Sequence, residues 1–243
     1  MRKARLDDLL IERGFFPDRE AVLRAVIAGE VLVDDVVASS AAAKVAPDAT
    51  VRVRGKGRYV SRGGEKLKGA IDAFGVDVSG CRCLDIGSST GGFTDCLLQE
   101  GASHVACVDV NYGQLDWKIR SDSRTEVFER TNIRKADPCS IGAPFDVVAI
   151  DVSFIGLASL AADIARFCRP GTILLALVKP QFESRRGEAE GGVVRDEAVR
   201  LRTVEEVAVA LEANGFTVNN VAESTVVGPA GNVEYLLHAF YKG

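Results

Sequence analysis

Apolar and polar positions follow two different patterns along the chain, with the change near residue 60. In the first part, apolar residues recur at helical spacing over residues 5–14 and again after Pro17, and each segment ends at a glycine. Short apolar runs at residues 31–33 and 36–37 indicate a hairpin, and residues 50–54 alternate apolar with basic. The pattern predicts a small α+β domain over residues 1–60, followed by a glycine-rich basic linker around residues 55–64.

Residues 65–243 show strand and helix signals in alternation, as in a βαβ array. Strands are predicted at residues 82–86, 105–110, 145–151, 173–179, 216–224 and 234–240, and helices near 94–100, 157–167 and 197–213. Alternation of this kind is typical of a parallel sheet. The last strand suits an added antiparallel edge. The fold class is therefore α/β, with a mostly parallel sheet and an antiparallel last strand.

Composition indicates a globular protein with an uneven charge distribution. Hydrophobic residues make up 47% and charged residues 26%, and the net charge is −4. Residues 1–68 carry +4, from 14 basic and 10 acidic residues, whereas the remainder carries −8. A basic first part favours contact with a polyanion, although a solvated charged surface gives the same count.

Membrane and metal functions find little support in the sequence. No apolar run reaches the ~18 residues of a spanning helix, and no signal peptide is evident, so we expect a cytoplasmic protein without a membrane partner. The six cysteines form no Cys-x-x-Cys pair and only two histidines are present, so we expect no metal site.

The stretch of residues 84–94 has the pattern of a ligand-binding turn. An apolar strand runs through Asp85 into Gly87, and Gly91 and Gly92 precede a helix. Glycines let the backbone approach a ligand closely, and free N–H groups at a helix start accept polar ligand atoms. The spacing Gly-x-x-x-Gly-Gly differs from the dinucleotide fingerprint.

A second acid, Asp109, follows the next predicted strand. An acid about 20 residues beyond such a turn is placed for ribose hydroxyls. Two acids suit a ligand with a cationic part and a hydroxylated part, such as S-adenosylmethionine. An ordinary strand–turn–helix connection remains the alternative, but the position of Asp109 favours a nucleoside ligand.

Ionisable residues also stand where three apolar strands end or begin. Asp151 and Lys179 close two strands, Glu234 opens the last one, and Lys66 lies at the start of the first helix of the large domain. Carboxyl ends of parallel strands share one rim with the start of an antiparallel neighbour, so these side chains can converge. Singly, each residue is as well explained by a turn or a solvated strand end. Together, two lysines between two carboxylates can orient or accept the proton of a ribose hydroxyl while its oxygen attacks a methyl group.

The first domain resembles the small RNA-binding module of ribosomal small-subunit protein four, pseudouridine synthases and tyrosyl-tRNA synthetases. The resemblance covers residues 3–60 and rests on residues 5–10, 19–21 and 27–34. It implies that the domain binds structured RNA by recognising the RNA backbone and shape rather than its sequence. A small dimerisation unit is the alternative.

Lys66, Asp151, Lys179 and Glu234 resemble the Lys-Asp-Lys-Glu tetrad of FtsJ-like ribose 2′-O-methyltransferases. The surrounding motifs are similar to the hemolysin A (TlyA-type) branch; they lie at residues 62–67, 85–94, 151–155, 178–183 and 231–234. The resemblance implies a Rossmann-like methyltransferase that uses S-adenosylmethionine and modifies cytidine ribose in ribosomal RNA or ribosomal subunits.

The same resemblance implies roles for individual residues. Lys179 would be the base or proton orienter, Lys66 would hold the target nucleotide, and Asp151 and Glu234 would set their charge and geometry. The residues implied at the cofactor are Asp85, Gly87, Ser88, Gly91, Gly92, Phe93, Asp109 and Asn132, of which Asp109 would meet the ribose and Asn132 the adenine.

Three further expectations concern the rest of the chain. Residues 182–192 are charged and glycine-rich, which is typical of a lid or of a mobile surface loop. Trp117 is expected to pack rather than to stack on a base. A membrane-lytic hemolysin, as the branch name suggests, and a non-catalytic RNA-binding protein remain as alternative functions.

Overall fold

The computed structural model of the chain describes residues 4–13, 15–34, 36–47, 49–53, 58–228 and 231–243. The chain forms two compact units, Met1–Gly57 and Arg58–Gly243. Residues 54–57, which belong to the predicted linker, lie outside the described part of the chain.

In its described residues, the small unit contains two helices and short antiparallel strands. The elements are β1 (Ala4–Arg5), α1 (Leu6–Glu12), α2 (Arg19–Ile27), β2 (Val31–Val33), β3 (Val36–Val37), β4 (Lys44–Val45) and β5 (Val51–Val53). Asp18 starts α2 by accepting a hydrogen bond from the N–H of Ala21 at 2.8 Å. Strand β2 pairs with β3 and β5, and β1 pairs with β4. The predicted helices and hairpin are confirmed, and their apolar faces meet in one core around Leu6, Leu10 and Val22.

The large unit alternates strands with helices over its whole length. Its elements are α3 (Arg62–Phe74), β6 (Arg82–Ile86), α4 (Gly92–Gln99), β7 (His104–Val108), α5 (Trp117–Arg120), β8 (Thr125–Phe128), α6 (Pro138–Ile141), β9 (Phe145–Ile150), a 3₁₀ helix (Leu157–Leu160), α7 (Ala161–Ala165), β10 (Cys168–Val178), α8 (Pro180–Glu183), α9 (Glu197–Glu212), β11 (Phe216–Glu223) and β12 (Tyr235–Tyr241).

Its seven strands lie in the order β11-β12-β10-β9-β6-β7-β8. Every pair from β10 to β8 is parallel, and β12 runs antiparallel to both β10 and β11. The predicted α/β class and the antiparallel direction of the last strand are confirmed. Its predicted place at the sheet edge is wrong, because β12 pairs with both β10 and β11 and β11 forms the edge. Strands β7 and β8 are added on one side of β6, and β9 and β10 on the other. The strand order therefore reverses between β6 and β9, and open α/β sheets bind ligands at such a point.

Both faces of this sheet are covered, which explains why its central strands are apolar without alternation. Leu84, Val148 and Leu174 face a core completed by α7 and α9. Their neighbours Cys83 and Val147 face a second core completed by α3 and α4. Successive side chains of a strand point to opposite faces, so each strand supplies both cores. The predicted site residues Asp151 and Lys179 lie outside both cores, at the carboxyl ends of β9 and β10.

Two sequence predictions were wrong in this unit. Strand β8 was missed because it is a short edge strand that pairs only with β7 and carries the exposed Glu126, so its apolar signal is weak. Trp117 does not pack: its side chain is 76% exposed.

Within the described residues, the structure contains no helix with the length and apolar character needed to cross a membrane. The same part of the chain contains no cluster of three or more histidine, cysteine, aspartate or glutamate side chains suited to a metal ion.

Candidate active site

The turn after β6 is built so closely that it requires glycine. Gly87 has φ +85°, and a Cβ atom there would lie 2.4 Å from the carbonyl oxygen of Asp151. The N–H of Gly87 donates to the carbonyl of Val108 at 2.8 Å, which joins the turn to β7. Gly91, with φ +94°, precedes α4 and packs against Leu115 and Ile119. The glycines therefore bring the ends of β6, β7 and β9 together.

Asp109, at the end of β7, holds two backbone segments. Its carboxylate accepts hydrogen bonds from the N–H of Ser89 at 2.8 Å and from the N–H of Asn111 at 2.7 Å. Since each carboxylate oxygen has two lone pairs, further acceptor capacity remains on both. The side chain is largely buried, but it still lines the cavity beside the turn.

This larger cavity has a volume of about 510 Å³, within the range of small-ligand sites. Polar residues in its wall include Ser89, Asp109, Asn111, Asn132 and Asp151. Apolar side chains such as Val110 and Ile133 complete it. An acid beside a mixed apolar and amide surface suits a nucleoside.

A smaller cavity of about 240 Å³ adjoins the larger one, and Gly87, Ser89, Asp151 and Ser153 line both. The start of α3 contributes Ser61, Arg62, Gly63 and Lys66, and the turn contributes Ser88, Thr90, Gly92 and Phe93. Lys179 completes the wall. Three cationic side chains thus face a space that opens onto the nucleoside-sized cavity.

The four residues of the predicted tetrad form two ion pairs. Lys179 pairs with Asp151 and also donates to the hydroxyl of Ser153 at 3.0 Å. Lys66 pairs with Glu234, and their side chains are 7% and 0% exposed. The amide of Gln181 donates to the other oxygen of Glu234 at 3.3 Å. Each lysine is therefore oriented by its own carboxylate, and both lysines line the smaller cavity.

The predicted cofactor residues fall into three groups. Gly87, Asp109 and Asn132 line the larger cavity, whereas Ser88, Gly92 and Phe93 line the smaller one. Asp85 and Gly91 line neither. Any influence of these two residues on a ligand would be exerted through the shape of the turn.

Asp85 lies behind the turn, fully buried in β6. The hydroxyl of Thr94 donates to its carboxylate at 2.6 Å, and the second carboxylate oxygen has no hydrogen-bond partner among the described residues. Burial raises the pKa of Asp85 to about 7, against the smaller opposing effect of the Thr94 hydrogen bond. The carboxyl group therefore binds a proton near neutral pH and joins α4 to the sheet.

Three residues beside the tetrad escaped the sequence analysis: Ser153, Gln181 and Glu183. Ser153 and Gln181 contact the ion pairs directly. Glu183 accepts a hydrogen bond from the N–H of Leu157. All three residues are within four positions of Asp151 or Lys179, in motifs on which the resemblance rests. Their positions in the sequence do not show which way their side chains point, so their contacts could not be predicted.

The charged loop after α8 is tied to α9 in this structure. Glu188 accepts two hydrogen bonds from Arg202, at 2.8 and 2.6 Å, and one from the N–H of Arg185 at 2.7 Å. Val194 and Gly192 bond to the side chain of Asn232, which joins the loop to the segment before β12. Movement of this loop as a lid stays a prediction.

Comparison with known proteins agrees with this geometry. The model of the FtsJ-like methyltransferase family matches residues 59–241. The 16S/23S rRNA (cytidine-2′-O)-methyltransferase TlyA of Mycobacterium tuberculosis is 43% identical over 239 residues, which cover 97% of this chain and 89% of that protein. A solved structure from Streptococcus thermophilus that carries the name hemolysin has a TM-score of 0.77 and 37% identity, over 100% of this chain and 90% of that one.

A more distant structure shares the fold alone. The S-adenosylmethionine dependent methyltransferase from Mesorhizobium loti is 17% identical, with a TM-score of 0.53 over 71% of this chain and 96% of that one. The extent and identity of the nearer matches show the family: the chain belongs to the FtsJ-like methyltransferases and, over nearly its whole length, to their TlyA (hemolysin A) group.

Proposed function

We propose that this protein transfers a methyl group from S-adenosylmethionine to the 2′-hydroxyl of a cytidine ribose in ribosomal RNA. The observation that carries the proposal is the pair of lysines, each held by its own carboxylate, in a small cavity that opens onto a nucleoside-sized one. The name of the M. tuberculosis relative supplies the nucleotide and the RNA class.

The residues of the larger cavity fit a nucleoside cofactor. Gly87 lets the turn lie directly against the backbone of Asp151 at the wall of this cavity, and Asp109 has acceptor capacity for ribose hydroxyls. Asn132 offers an amide for a base edge. S-adenosylmethionine, when bound, supplies a methyl group activated by its sulfonium charge. The other steps belong to the protein and the RNA.

In the proposed reaction the smaller cavity receives the target ribose. The side chain of Lys179, oriented by Asp151 and Ser153, orients the hydroxyl or, as the neutral amine, accepts its proton while the oxygen bonds to the methyl carbon and the carbon–sulfur bond of the donor breaks. Lys66, held by Glu234, places a positive charge beside the nucleotide. Positioning of this kind supplies much of the rate because the methyl donor needs little further activation.

The decisive experiment measures transfer of tritiated methyl groups to naked ribosomal RNA, isolated small subunits and isolated large subunits, with the modified nucleotide then mapped. Lys179→Ala should lower kcat at least ~100-fold while calorimetry shows unchanged cofactor binding. Lys68→Ala is the control and should retain full activity, because Lys68 also lies on α3 but pairs with Asp72 and Glu100 and lines neither cavity. Unchanged transfer in Lys179→Ala would refute the role of Lys179.

Wild-type protein that binds RNA but neither binds S-adenosylmethionine nor methylates any of the three substrates would favour a non-catalytic RNA-binding protein. Methylation of a nucleobase rather than a ribose would overturn the substrate assignment alone.

We further propose that the unit Met1–Gly57 is the RNA-binding module. Arg19 and Arg24 lie on α2 with side chains 64% and 67% exposed, although each also pairs with a carboxylate. Replacement of both by glutamine should weaken binding to ribosomal RNA and reduce its salt dependence by about two counterions. Glu20→Gln, which removes the partner of Arg24 but keeps the cation, is the control and should not weaken binding.

A further inference from the structure

Glu183 joins the two segments that carry the Lys179–Asp151 pair. It is the last residue of α8, the short helix that begins directly after Lys179. Its carboxylate accepts a hydrogen bond from the N–H of Leu157 at 2.5 Å, and the N–H of Ala158 also bonds to it. Leu157 begins the 3₁₀ helix that ends the segment after Asp151. The carboxylate thus caps, from α8, a helix that has no side-chain cap of its own.

The contact is close and partly withdrawn from water. A Cβ atom at Gly156 would lie 2.7 Å from a carboxylate oxygen of Glu183, so the backbone of this segment runs directly against the carboxylate. Burial raises the pKa of Glu183, and its bonds to the two N–H groups oppose that shift. A desolvated carboxylate without hydrogen-bond donors has a high free energy, so the two N–H groups stabilise Glu183 in this one position.

A second contact joins the same two segments. The rings of Phe154 and Phe182 lie 5.3 Å apart between centroids. Asp151 and Lys179 form the third link, with Ser153 beside them. The six residues from Asp151 to Gly156 are therefore held at one end by β9 and at the other by Glu183. A shift of their far end would move Ser153 and the wall that both cavities share.

We propose that Glu183 is a positioning residue for methyl transfer: by holding the start of the 3₁₀ helix it sets the geometry of the Asp151–Lys179 pair. It touches neither cavity wall and so acts through that pair. The proposal rests on the proposed function for its kinetic consequence, but the clamp itself is a property of the protein without substrate.

Glu183→Gln keeps the size of the side chain but offers one acceptor and an NH₂ group that opposes the second N–H. Glu183→Ala removes the clamp altogether. Glu188→Gln is the matched control: Glu188 lies five residues later, in the loop after α8, and the change removes the same charge, but Glu188 bonds to Arg202 and Arg185. In full-length protein, kcat for methyl transfer should fall ~10-fold in Glu183→Gln and further in Glu183→Ala. The KM for RNA and the Kd for S-adenosylmethionine should stay within ~3-fold, and Glu188→Gln should stay within ~2-fold of wild type.

A measurement without RNA separates this proposal from the proposed function. The Lys179 amine, freed from Asp151, should react several-fold faster with acetic anhydride in Glu183→Ala than in wild type, whereas Lys68 should react equally in both, as read by mass spectrometry. Equal labelling of Lys179 would overturn the positioning role, as would parallel losses of kcat and cofactor affinity or an equal effect of Glu188→Gln. Faster labelling in a protein that methylates no RNA would support the clamp and refute the proposed function.

Discussion

The buried ion pair of Lys66 and Glu234 allows the most quantitative test of the site. Only Gln181 among the described residues also donates a hydrogen bond to the Glu234 carboxylate, and neither charged side chain is appreciably exposed. Glu234→Gln leaves a buried ammonium without a carboxylate. Lys66→Met leaves a buried carboxylate with a single amide donor. Both single changes should therefore be costly, and the double change should cost less than their sum because it leaves no unpaired charge.

The magnitude follows from the desolvation of an unpaired charge. Removal of one partner from a buried pair costs about 3–5 kcal/mol, so we expect each single variant to lose about 3 kcal/mol of unfolding free energy. The double variant Lys66→Met/Glu234→Gln should lose about 3–4 kcal/mol rather than the sum of about 6, which corresponds to a coupling energy of about 2–3 kcal/mol.

Urea unfolding of the full-length protein, followed by far-ultraviolet circular dichroism, measures the four free energies of the cycle. The matched control is the cycle of Lys68→Met and Asp72→Asn on the same helix, where the side chains are 21% and 62% exposed. Exposed pairs contribute little, so its coupling should stay below about 1 kcal/mol. Single effects at Lys66 and Glu234 that add within about 0.5 kcal/mol, or an equally large coupling in the control, would refute the reasoning.

Three further predictions use single substitutions. Gly87→Ala places a methyl group 2.4 Å from the carbonyl oxygen of Asp151 and should lower the kcat of methyl transfer at least ~10-fold. Gly75→Ala is the control: φ there is +64° and no atom lies within 4 Å of the added methyl group, so this change should cost about 1 kcal/mol of stability and leave activity unchanged. Because burial raises the Asp85 pKa from 3.8 to about 7, the unfolded chain loses this proton first, and the contribution of Asp85 to stability falls by about 3 kcal/mol between pH 5 and 8. In urea unfolding at pH 5 and 8, Asp85→Asn should remove that fall; an equal difference from wild type at both pH values would contradict it. Burial lowers the pKa of His238, so the contribution of His238 to stability is full above pH 6.5 and is lost as the pH drops below it. Relative to wild type, His238→Phe, whose ring would lie in the same place beside Phe74, should therefore have a higher Tm at pH 5 than at pH 7.5.

Much of this site was predictable because strand ends and glycine turns leave local signals. Long apolar strands that end in Asp151 and Lys179 are visible in the sequence, and so is the turn at Gly87. The structure places Lys66, Asp151 and Lys179 in one cavity wall and sets Glu234 behind Lys66. Which carboxylate belongs to which lysine could not be predicted, since it depends on how two distant segments pack.

The local sequence by itself determined the alternation of strands and helices and the presence of a glycine turn after β6, because each depends on periodicity and backbone freedom within a few residues. Only the tertiary structure decided that Lys66 meets Glu234 across 168 residues, that Asp85 lies behind the turn, and that Glu183 caps a helix on another segment. The direction of a side chain at the end of a strand follows from sheet register and from the segments packed beside it. Sheet register and the packing of neighbouring segments depend on how all the side chains of both cores fit together. A pattern within a few residues does not contain that information.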